Sequence, residues 1–297
     1  MRMVFTLIIR STHHMRYFNY KFHFILILFW VIHCKSRKTR LAGGYPAGIG
    51  EYPYLVASMH PEIRCTASLI SRSWILGAAH CYVLDGIKVF PHDVLLVAGV
   101  VDFFDMDVGS RQSRVAREIH IHPSFEEIKI SEADISLVKV DDFEITPTVS
   151  PIPISGKPFA INTDVPCKAS GWGDTVFSKS NSRLHSLNVI AVQSKKVCHG
   201  LSPKERRNML CLRANSGKGL CDGDSGGPLI CNDELVGVAH QVYIEKSNYK
   251  GPQDMDCGSD TIIHTYMYTC PFLNWIRSYV PEVPLKPSKC FTMDITN

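Results

Sequence analysis

Short apolar stretches separated by turn residues constrain the fold of this 297-residue chain more than any other feature. Each stretch has four to nine residues and is bounded by Gly, Pro, Asp or Ser, which is typical of strands and too short for most helices. The stretches are Leu55–Met59, Ala67–Ile70, Asp93–Val101, Ile135–Val140, Leu187–Val192 and Leu235–Ala239. The pattern therefore predicts an all-β protein.

One helix is predicted near the end of the chain, in the stretch "CPFLNWIRSYV". Phe272, Ile276 and Val280 recur there at helical spacing. Pro271 suits a first helical turn, and Pro281 ends the pattern. We expect a helix over residues 271–280, docked on the β structure. Residues 281–297 form a polar tail that Cys290 is expected to tether.

The net charge of +4 conceals two regions of opposite sign. Residues 1–40 contain eight basic residues and no acidic one, which leaves 24 basic and 28 acidic residues from Leu41 onward. The body of the protein is therefore mildly acidic, and nucleic acid is not an expected partner.

The basic N-terminal region is interpreted as a secretory signal peptide, residues 1–34. Its apolar core, residues 24–32, has nine residues, whereas a transmembrane helix needs about 20. Met15 is an alternative start, because a signal peptide beginning there has ordinary proportions. A short signal anchor is the less favoured alternative. We expect an extracellular protein with no membrane attachment in its mature form.

The cysteines agree with export. Of the eleven, Cys34 lies in the leader, and the other ten lie between Cys65 and Cys290. An even number predicts five disulfides formed in an oxidising compartment. No CxxC or HExxH motif occurs, so neither a metal nor a cofactor is expected.

Three motifs contain the groups that a serine nucleophile needs. "GDSGGP" has Ser225 between glycines, so that the N–H groups of Gly223 and Ser225 can point at one oxyanion. "GAAHC" contains His80 as a base, and "EADISLVKV" contains Asp134 at the head of an apolar strand. A lone His or Asp in such a setting is more often structural, but all three together favour catalysis.

From Leu41 to Val280 the chain resembles secreted serine proteases of the chymotrypsin/trypsin family. The resemblance is carried by "GDSGGP" and "GAAHC", by "LAGG" at a mature N-terminus, and by "ASGWG" and "NMLC". It implies one protease domain, residues 41–280, built from two packed six-stranded antiparallel β-barrels with the active site between them. It also implies a protein or peptide substrate, and we expect a monomer.

The resemblance assigns roles to individual residues. His80 is the base, Asp134 orients it, and Ser225 is the nucleophile, while Gly223 and Ser225 form the oxyanion hole. Relatives often pair the cysteine at position 270 with one about eight residues before Cys167, which this chain lacks, so Cys270 is left with Cys290. The implied disulfides are Cys65–Cys81, Cys167–Cys231, Cys198–Cys211, Cys221–Cys257 and Cys270–Cys290.

Zymogen activation is a further implication. Residues 35–40 would be a short activation peptide, and cleavage after Arg40 would free the amine of Leu41 to pair with Asp224. The alternative is that Arg40 is one more residue of the basic leader. Trypsin-like relatives carry an Asp two residues before Cys221, where this chain has Gly219. A basic substrate side chain would be unpaired there, so a separate trypsin-like protease is expected to activate the chain.

The walls of the substrate pocket also depart from the family. Asp222 is expected at the rim, and Gln241 and Val242 replace a Trp-Gly pair. His264 stands where a glycine usually lines the pocket. These changes predict a preference for small or medium apolar side chains. The stretch 241–256 is longer than in relatives and is either an exosite or a tolerated insertion.

His240 leaves two functional interpretations open. It replaces a serine that supports the catalytic aspartate, and it either hydrogen-bonds Asp134 harmlessly or competes with His80 for it. The leading hypothesis is an active secreted serine endopeptidase. The alternative is a weakly active or inactive protease homologue that acts as a binding protein.

Overall fold

The computed structural model describes residues 43–127, 132–173, 182–215, 217–244, 259 and 262–291. The predicted signal peptide, Arg40, Leu41, Cys257 and most of the 241–256 stretch lie outside these ranges. The described strands are β1 (Tyr45–Pro46), β2 (Leu55–Met59), β3 (Arg64–Ser71), β4 (Trp74–Gly77), β5 (Val83–Leu84), β6 (Ile87–Lys88), β7 (Leu95–Ala98), β8 (Gln112–Val115), β9 (Glu118–Ile121), β10 (Ser136–Lys139), β11 (Val165–Gly171), β12 (His185–Val192), β13 (Met209–Leu212), β14 (Pro228–Cys231), β15 (Glu234–Ile244) and β16 (Ile262–Tyr268).

Helices are short. In the part of the chain that the structure describes, the α-helices are α1 (Pro203–Asn208) and α2 (Leu273–Tyr279), and 3-10 turns cover Ala79–Tyr82, Pro91–Asp93 and Cys270–Phe272. The predicted helix over 271–280 is therefore a 3-10 turn followed by α2. Within the described residues, no helix has both the length and the apolar character that crossing a membrane requires.

The C-terminal sheet is a closed barrel. Its strand order is β1-β12-β11-β14-β15-β16-β13, and β13 also pairs with β12, so β11 to β16 form a complete ring. All its pairs are antiparallel. The tight turn between β14 and β15 has positive φ at Asn232 and Asp233, which suits a two-residue hairpin. This closure confirms the six-stranded barrel predicted for the second half of the domain.

The N-terminal sheet is a half-barrel of seven strands, ordered β8-β7-β2-β3-β4-β10-β9. No ladder joins β8 to β9 among the described residues, so it differs from the closed six-stranded ring that the family implies. The two edges are nevertheless continuous in the chain. Between them, the N–H of Ala116 donates to Val94 O at 3.0 Å and that of Arg117 to Lys139 O at 2.8 Å. One bent stretch of chain therefore links both edges.

Helix α2 packs on the N-terminal sheet. Its Leu273 and Ile276 are buried. The ring of Tyr279 lies 5.7 Å from Trp74 and 4.4 Å from His120, measured between ring centroids. The last helix of the chain thereby rests against the first sheet.

Among the described residues, four of the implied disulfides are present, namely Cys65–Cys81, Cys167–Cys231, Cys198–Cys211 and Cys270–Cys290. The fifth, Cys221–Cys257, involves a residue outside the described ranges and stays a prediction. The last one fastens the tail. Cys290 O accepts a hydrogen bond from Phe159 N at 2.9 Å and another from Tyr268 Oη at 2.8 Å. The tail is thus held on the C-terminal barrel by a covalent bond and two hydrogen bonds.

Candidate active site

His80 is held in place by its own backbone. It lies in the 3-10 turn after β4, and the neighbouring Cys81 is bonded to Cys65 of β3. The His80 N–H donates to Asp134 Oδ1 at 2.8 Å. The imidazole is 22% exposed, so one edge faces the cleft. The turn therefore presents a fixed imidazole to the cleft.

Asp134 is fully buried immediately before β10. Its Oδ2 accepts hydrogen bonds from two imidazoles, His80 Nδ1 at 2.6 Å and His240 Nδ1 at 2.7 Å. Burial by itself would raise the pKa of this carboxyl. The charge of His80 and the hydrogen bonds from His240 and His80 outweigh burial and hold the pKa of Asp134 well below its usual value. The carboxylate is therefore ionised at neutral pH.

The contact with Asp134 also changes the pKa of His80. Burial favours the neutral imidazole, but the charge and hydrogen bond of Asp134 outweigh it and raise the pKa of His80 above its ordinary value of 6.5. Because an ionised carboxylate only accepts, His80 Nδ1 must carry the hydrogen. The lone pair of the neutral ring is then on Nε2, which is the arrangement that a general base requires.

His240 occupies the other side of the carboxylate and is buried. Its Nδ1 must likewise donate to Asp134, which makes its Nε2 an acceptor in the neutral ring. That Nε2 is buried and finds no hydrogen-bond partner among the described residues. An unsatisfied buried acceptor destabilises a fold by about 1–3 kcal/mol. The sharing of Asp134 by two imidazoles is therefore not optimised for stability.

His80, Asp134 and His240 also offer three ligand atoms within 4.8 Å of one another. A zinc ion bound at about 2.0–2.2 Å in a tetrahedral site keeps its ligand atoms about 3.3 Å apart. The two nitrogen–oxygen distances here, 2.6 and 2.7 Å, are hydrogen-bond distances. In this arrangement hydrogen bonds join the carboxylate of Asp134 to both imidazoles.

Ser225 lies in a turn before β14 that leaves two backbone donors unused. Gly223 has φ of +93°, a conformation that favours glycine. The N–H of Asp224 donates to Cys221 O at 3.1 Å and that of Gly226 to Ala239 O at 2.8 Å. Within the described part of the chain, no acceptor contacts the N–H groups of Gly223 or Ser225. Both are therefore available to an external oxyanion.

Asp224 is buried under this turn. Its Oδ2 accepts from Cys221 N and its Oδ1 from Gly173 N, each at 2.9 Å. The carboxylate lies so close to Gly173 that a Cβ there would be 2.3 Å from its carbon. The expected partner, Leu41, lies outside the described residues, so the activation pair stays a prediction.

Thr66, next to Cys65 on β3, is a positioning residue that the sequence analysis missed. Its N–H donates to Ser225 O at 2.9 Å, and its hydroxyl donates to Gly223 O at 3.0 Å. The hydroxyl also accepts from Trp172 N at 3.2 Å. Thr66 thereby joins the N-terminal sheet to the nucleophile turn. A threonine beside a disulfide cysteine has no distinctive sequence signal.

The catalytic cavity has a volume of about 280 Å³. Both His80 and Ser225 line it. The predicted pocket residues Asp222, His240, Gln241 and Val242 also line it, together with Leu220, Cys221, Ala239 and Ile262. Gly219 and His264 do not. They line a second cavity of about 440 Å³ on the other side of the 217–221 stretch.

His264 explains this division. A Cβ on Gly219 would lie 2.0 Å from His264 Nε2, so the imidazole fills the space beside the glycine. Its Nδ1 accepts from Leu220 N at 3.1 Å, and burial lowers the pKa of His264 to about 4. The ring is therefore neutral at pH 7. It fills the space beside Gly219 on the side of the second cavity and does not line the catalytic cavity.

Comparisons with known proteins agree with this arrangement. The family model "Trypsin" matches residues 41–276. A trypsin of Xenopus laevis is 27% identical over 266 residues, which cover 88% of this chain and 98% of that protein. Trypsin V-B of Rattus norvegicus is 30% identical over 251 residues, covering 83% and 92%.

A longer relative matches as well. An ovochymase of Halocynthia roretzi is 34% identical over 257 residues, which are 82% of this chain and 16% of that protein. The matched family segment contains all four groups described above: the histidine, the buried aspartate, the serine turn and the paired cysteines. The chain therefore belongs to the trypsin-like serine protease family.

Proposed function

We propose that the protein is a serine endopeptidase in which His80, Asp134 and Ser225 act together. The observation that carries this proposal is the 2.6 Å contact between His80 Nδ1 and Asp134 Oδ2, in a ring whose other edge shares a cavity with Ser225. The contact sets the tautomer, and the cavity has room for a peptide carbonyl.

In the acylation step, Ser225 Oγ bonds to the carbonyl carbon of the substrate while its proton passes to His80 Nε2. The carbonyl π electrons move to oxygen. The N–H groups of Gly223 and Ser225 donate to that oxyanion. The tetrahedral species then breaks its C–N bond, and His80 returns the proton to the leaving amine. Asp134 stays ionised and stabilises the imidazolium.

Deacylation repeats the sequence with water. His80 takes a proton from water as its oxygen bonds to the acyl carbon, and the oxyanion again lies against the two N–H groups. The C–Oγ bond then breaks, and the proton returns to Ser225. The products are a carboxylic acid and the free enzyme, so no external reactant besides water is required.

The proposed preference is for small or medium apolar side chains at the residue preceding the cleaved bond. Gly219 supplies no carboxylate, and His264 closes the space behind it. Val242 and Ile262 are two of the apolar residues that line the catalytic cavity. A long basic side chain would find no carboxylate at Gly219, and the one carboxylate among the described lining residues of the catalytic cavity, Asp222, is expected at its rim.

We further propose that the chain is secreted as a zymogen. Cleavage after Arg40 by a separate trypsin-like protease would free Leu41 to pair with Asp224, and the mature enzyme would be a monomer. Arg40→Gln should accumulate as an uncleaved precursor without activity. Full activity of that variant after treatment with trypsin-like proteases would contradict the zymogen proposal.

The activity itself is tested with a fluorophosphonate probe, applied before and after cleavage at the Arg40–Leu41 bond. Covalent labelling of the cleaved protein is expected, and peptide mass mapping should locate the adduct on Ser225. Ser225→Ala is the matched control and should not be labelled. Absence of labelling in the cleaved wild-type protein would refute the proposal.

A second candidate function is that of a protease homologue with little catalysis, acting as a binding protein. The shared contact of His80 and His240 with one oxygen of Asp134 favours it, because the second donor competes for the charge that supports the base. Labelling distinguishes the two candidates. A folded, cleaved protein that binds no probe would be the homologue.

A further inference from the structure

A basic segment lies on the surface of the C-terminal barrel, between β12 and β13. We define it as residues 194–208, "SKKVCHGLSPKERRN". It contains five basic residues and one acidic residue, Glu205. From Leu41 onward the chain has 24 basic and 28 acidic residues, so this segment is an exception within a mildly acidic body. Its basic residues are Lys195, Lys196, Lys204, Arg206 and Arg207.

The fold brings the two ends of the basic segment together. Gln193 Nε2 donates to Arg206 O at 2.7 Å and more weakly to Met209 O at 3.4 Å. The disulfide Cys198–Cys211 ties the middle of the segment to β13. The lysines that follow Gln193 are thereby grouped with the arginines of α1.

Helix α1 is also fixed at its start. The hydroxyl of Ser202 accepts from Glu205 N, and the Glu205 carboxylate accepts from Ser202 N at 2.6 Å. This capping box occupies the one carboxylate of the segment in a local contact. A preformed array of cations loses less conformational entropy when it binds an anion than a flexible loop does.

Three of the cations are available. Lys195, Lys196 and Arg207 are exposed, and no carboxylate contacts them among the described residues. Lys204 is engaged, since its Nζ lies 2.8 Å from Glu132 Oε1. Arg206 is half-buried and donates to Leu201 O. Arg207 donates to a carbonyl oxygen, Pro203 O, at the long distance of 3.4 Å. The segment therefore presents three exposed charges that no carboxylate contacts among the described residues.

We propose that the basic segment binds a sulfated polysaccharide. Closely spaced cations on a fixed backbone fit a chain of regularly spaced anions better than a single small anion. The disulfides indicate an oxidising compartment, where sulfated polysaccharides are abundant polyanions. The acidic remainder of the body disfavours the long contact that a nucleic acid duplex requires.

The site adjoins the catalytic cluster. Lys204 and Asn208 of α1 both bond Glu132, the latter through Nδ2 to the carbonyl oxygen at 3.0 Å. Glu132 precedes the catalytic Asp134 by two residues. A polysaccharide on the basic segment would therefore lie next to the loop that carries Asp134. Binding itself requires no proteolytic activity, so the proposal stands apart from the proposed function.

The test uses the full chain and soluble heparin, with the dissociation constant measured over a range of NaCl concentrations. A triple variant reverses the available charges: Lys195→Glu, Lys196→Glu and Arg207→Glu. Its matched control reverses three exposed lysines elsewhere: Lys168→Glu, Lys218→Glu and Lys286→Glu. Both triples change the net charge equally. An alanine version of the first triple tests the same contacts without introducing acids.

Wild type and control should bind, with a steep dependence on salt. The basic-segment triple should lower the slope of log Kd against log [NaCl] by about three and weaken binding by about 100-fold at low salt. No wild-type binding, or equal losses in both triples, would overturn the proposal. Equally tight binding to desulfated heparin or to duplex DNA would overturn the assigned ligand class.

Discussion

The catalytic cluster and the floor of the substrate pocket lie side by side but have departed from the family to different degrees. His80, Asp134 and Ser225 occupy the expected motifs and share one region of the cleft. His264 fills the space beside Gly219, and these two residues line a separate cavity rather than the one that contains His80 and Ser225.

Reaction and recognition therefore depend on different kinds of contact in this protein. The cluster depends on the hydrogen bonds that Asp134 Oδ2 accepts. Because this oxygen only accepts, it keeps the hydrogen of His80 on Nδ1, and replacing the oxygen by a donor would change the tautomer. The pocket floor depends on volume, and an imidazole can replace empty space without disturbing those bonds. His240, one of the predicted pocket residues, connects recognition to the cluster, since it lines the catalytic cavity and also bonds Asp134.

Removal of the nucleophile should lower activity more than any other change. Ser225→Ala should lower kcat on the order of 10⁶-fold, because the hydroxyl nucleophile acts as a unit with the base. The variant should keep its thermal midpoint, since the contact of Ser225 with Thr66 is made by backbone atoms that alanine retains. The measurement is turnover of a peptide amide library by the cleaved enzyme. A loss below 100-fold would show that another group supplies the nucleophile.

The next effect concerns stability at acid pH. Burial lowers the pKa of His264 to about 4, so the folded state resists a proton that the unfolded chain accepts from about pH 6.5 downward. The stabilisation is present above pH 6.5 and is lost as the pH falls to about 4. The loss between pH 7 and 4 should amount to about 3 kcal/mol of unfolding free energy.

The matched control for this loss is His264→Asn, which keeps an acceptor for Leu220 N and does not titrate. Carboxylates titrate in both proteins and cancel in the difference. Urea unfolding at several pH values measures it. Parallel stability curves for wild type and variant would contradict the assignment.

The pocket floor is tested by His264→Gly. Removing the ring should join the two cavities of about 280 and 440 Å³ and admit larger side chains. We expect kcat/KM for a Leu or Phe substrate, relative to Ala, to rise by about 10- to 100-fold. The control reaction is labelling by the fluorophosphonate probe, which should keep its rate. An unchanged preference would mean that Val242 and Ile262 set the size limit.

Substitution of His240 should change activity least. His240→Ser should raise kcat by roughly three- to tenfold with little change in KM, because Asp134 Oδ2 then supports one imidazole. The apparent pKa of kcat/KM should rise, since more of the carboxylate charge stabilises protonated His80. His240→Asn, which keeps an N–H donor, should behave like wild type. Identical pH profiles for all three would show that His240 is harmless.

Much of the fold and of the candidate site could be predicted from the sequence. The apolar stretches mark β2, β10 and β12 because alternation and turn residues act locally. The catalytic motifs are recognisable because each needs one residue type at one backbone position. Both interpretations of His240 include a contact with Asp134, and the 2.7 Å distance between His240 Nδ1 and Asp134 Oδ2 shows that this bond forms.

The features that the sequence did not predict depend on contacts between distant parts of the chain. Thr66 acts through three bonds to residues more than 100 positions away, and nothing local distinguishes it. The division of the pocket needs the three-dimensional distance between Gly219 and His264. The shape of the N-terminal sheet depends on where the N–H groups of Ala116 and Arg117 donate, and alternation does not encode that.

The tethered tail changes the connectivity of the molecule. Phe159, eight residues before Cys167, stands where many relatives have the partner of the cysteine at position 270, and Cys290 O now bonds its N–H. The Cys270–Cys290 disulfide lies in a similar place but closes a loop of 20 residues. The disulfide of those relatives closes a longer loop, which spans the linker and most of the second barrel. In the chain-entropy model the shorter loop restrains the unfolded state less, by about 1.5 kcal/mol. Reduction of Cys270–Cys290 would thus release the tail from the C-terminal barrel, while the Thr66 contacts between the N-terminal sheet and the nucleophile turn would remain.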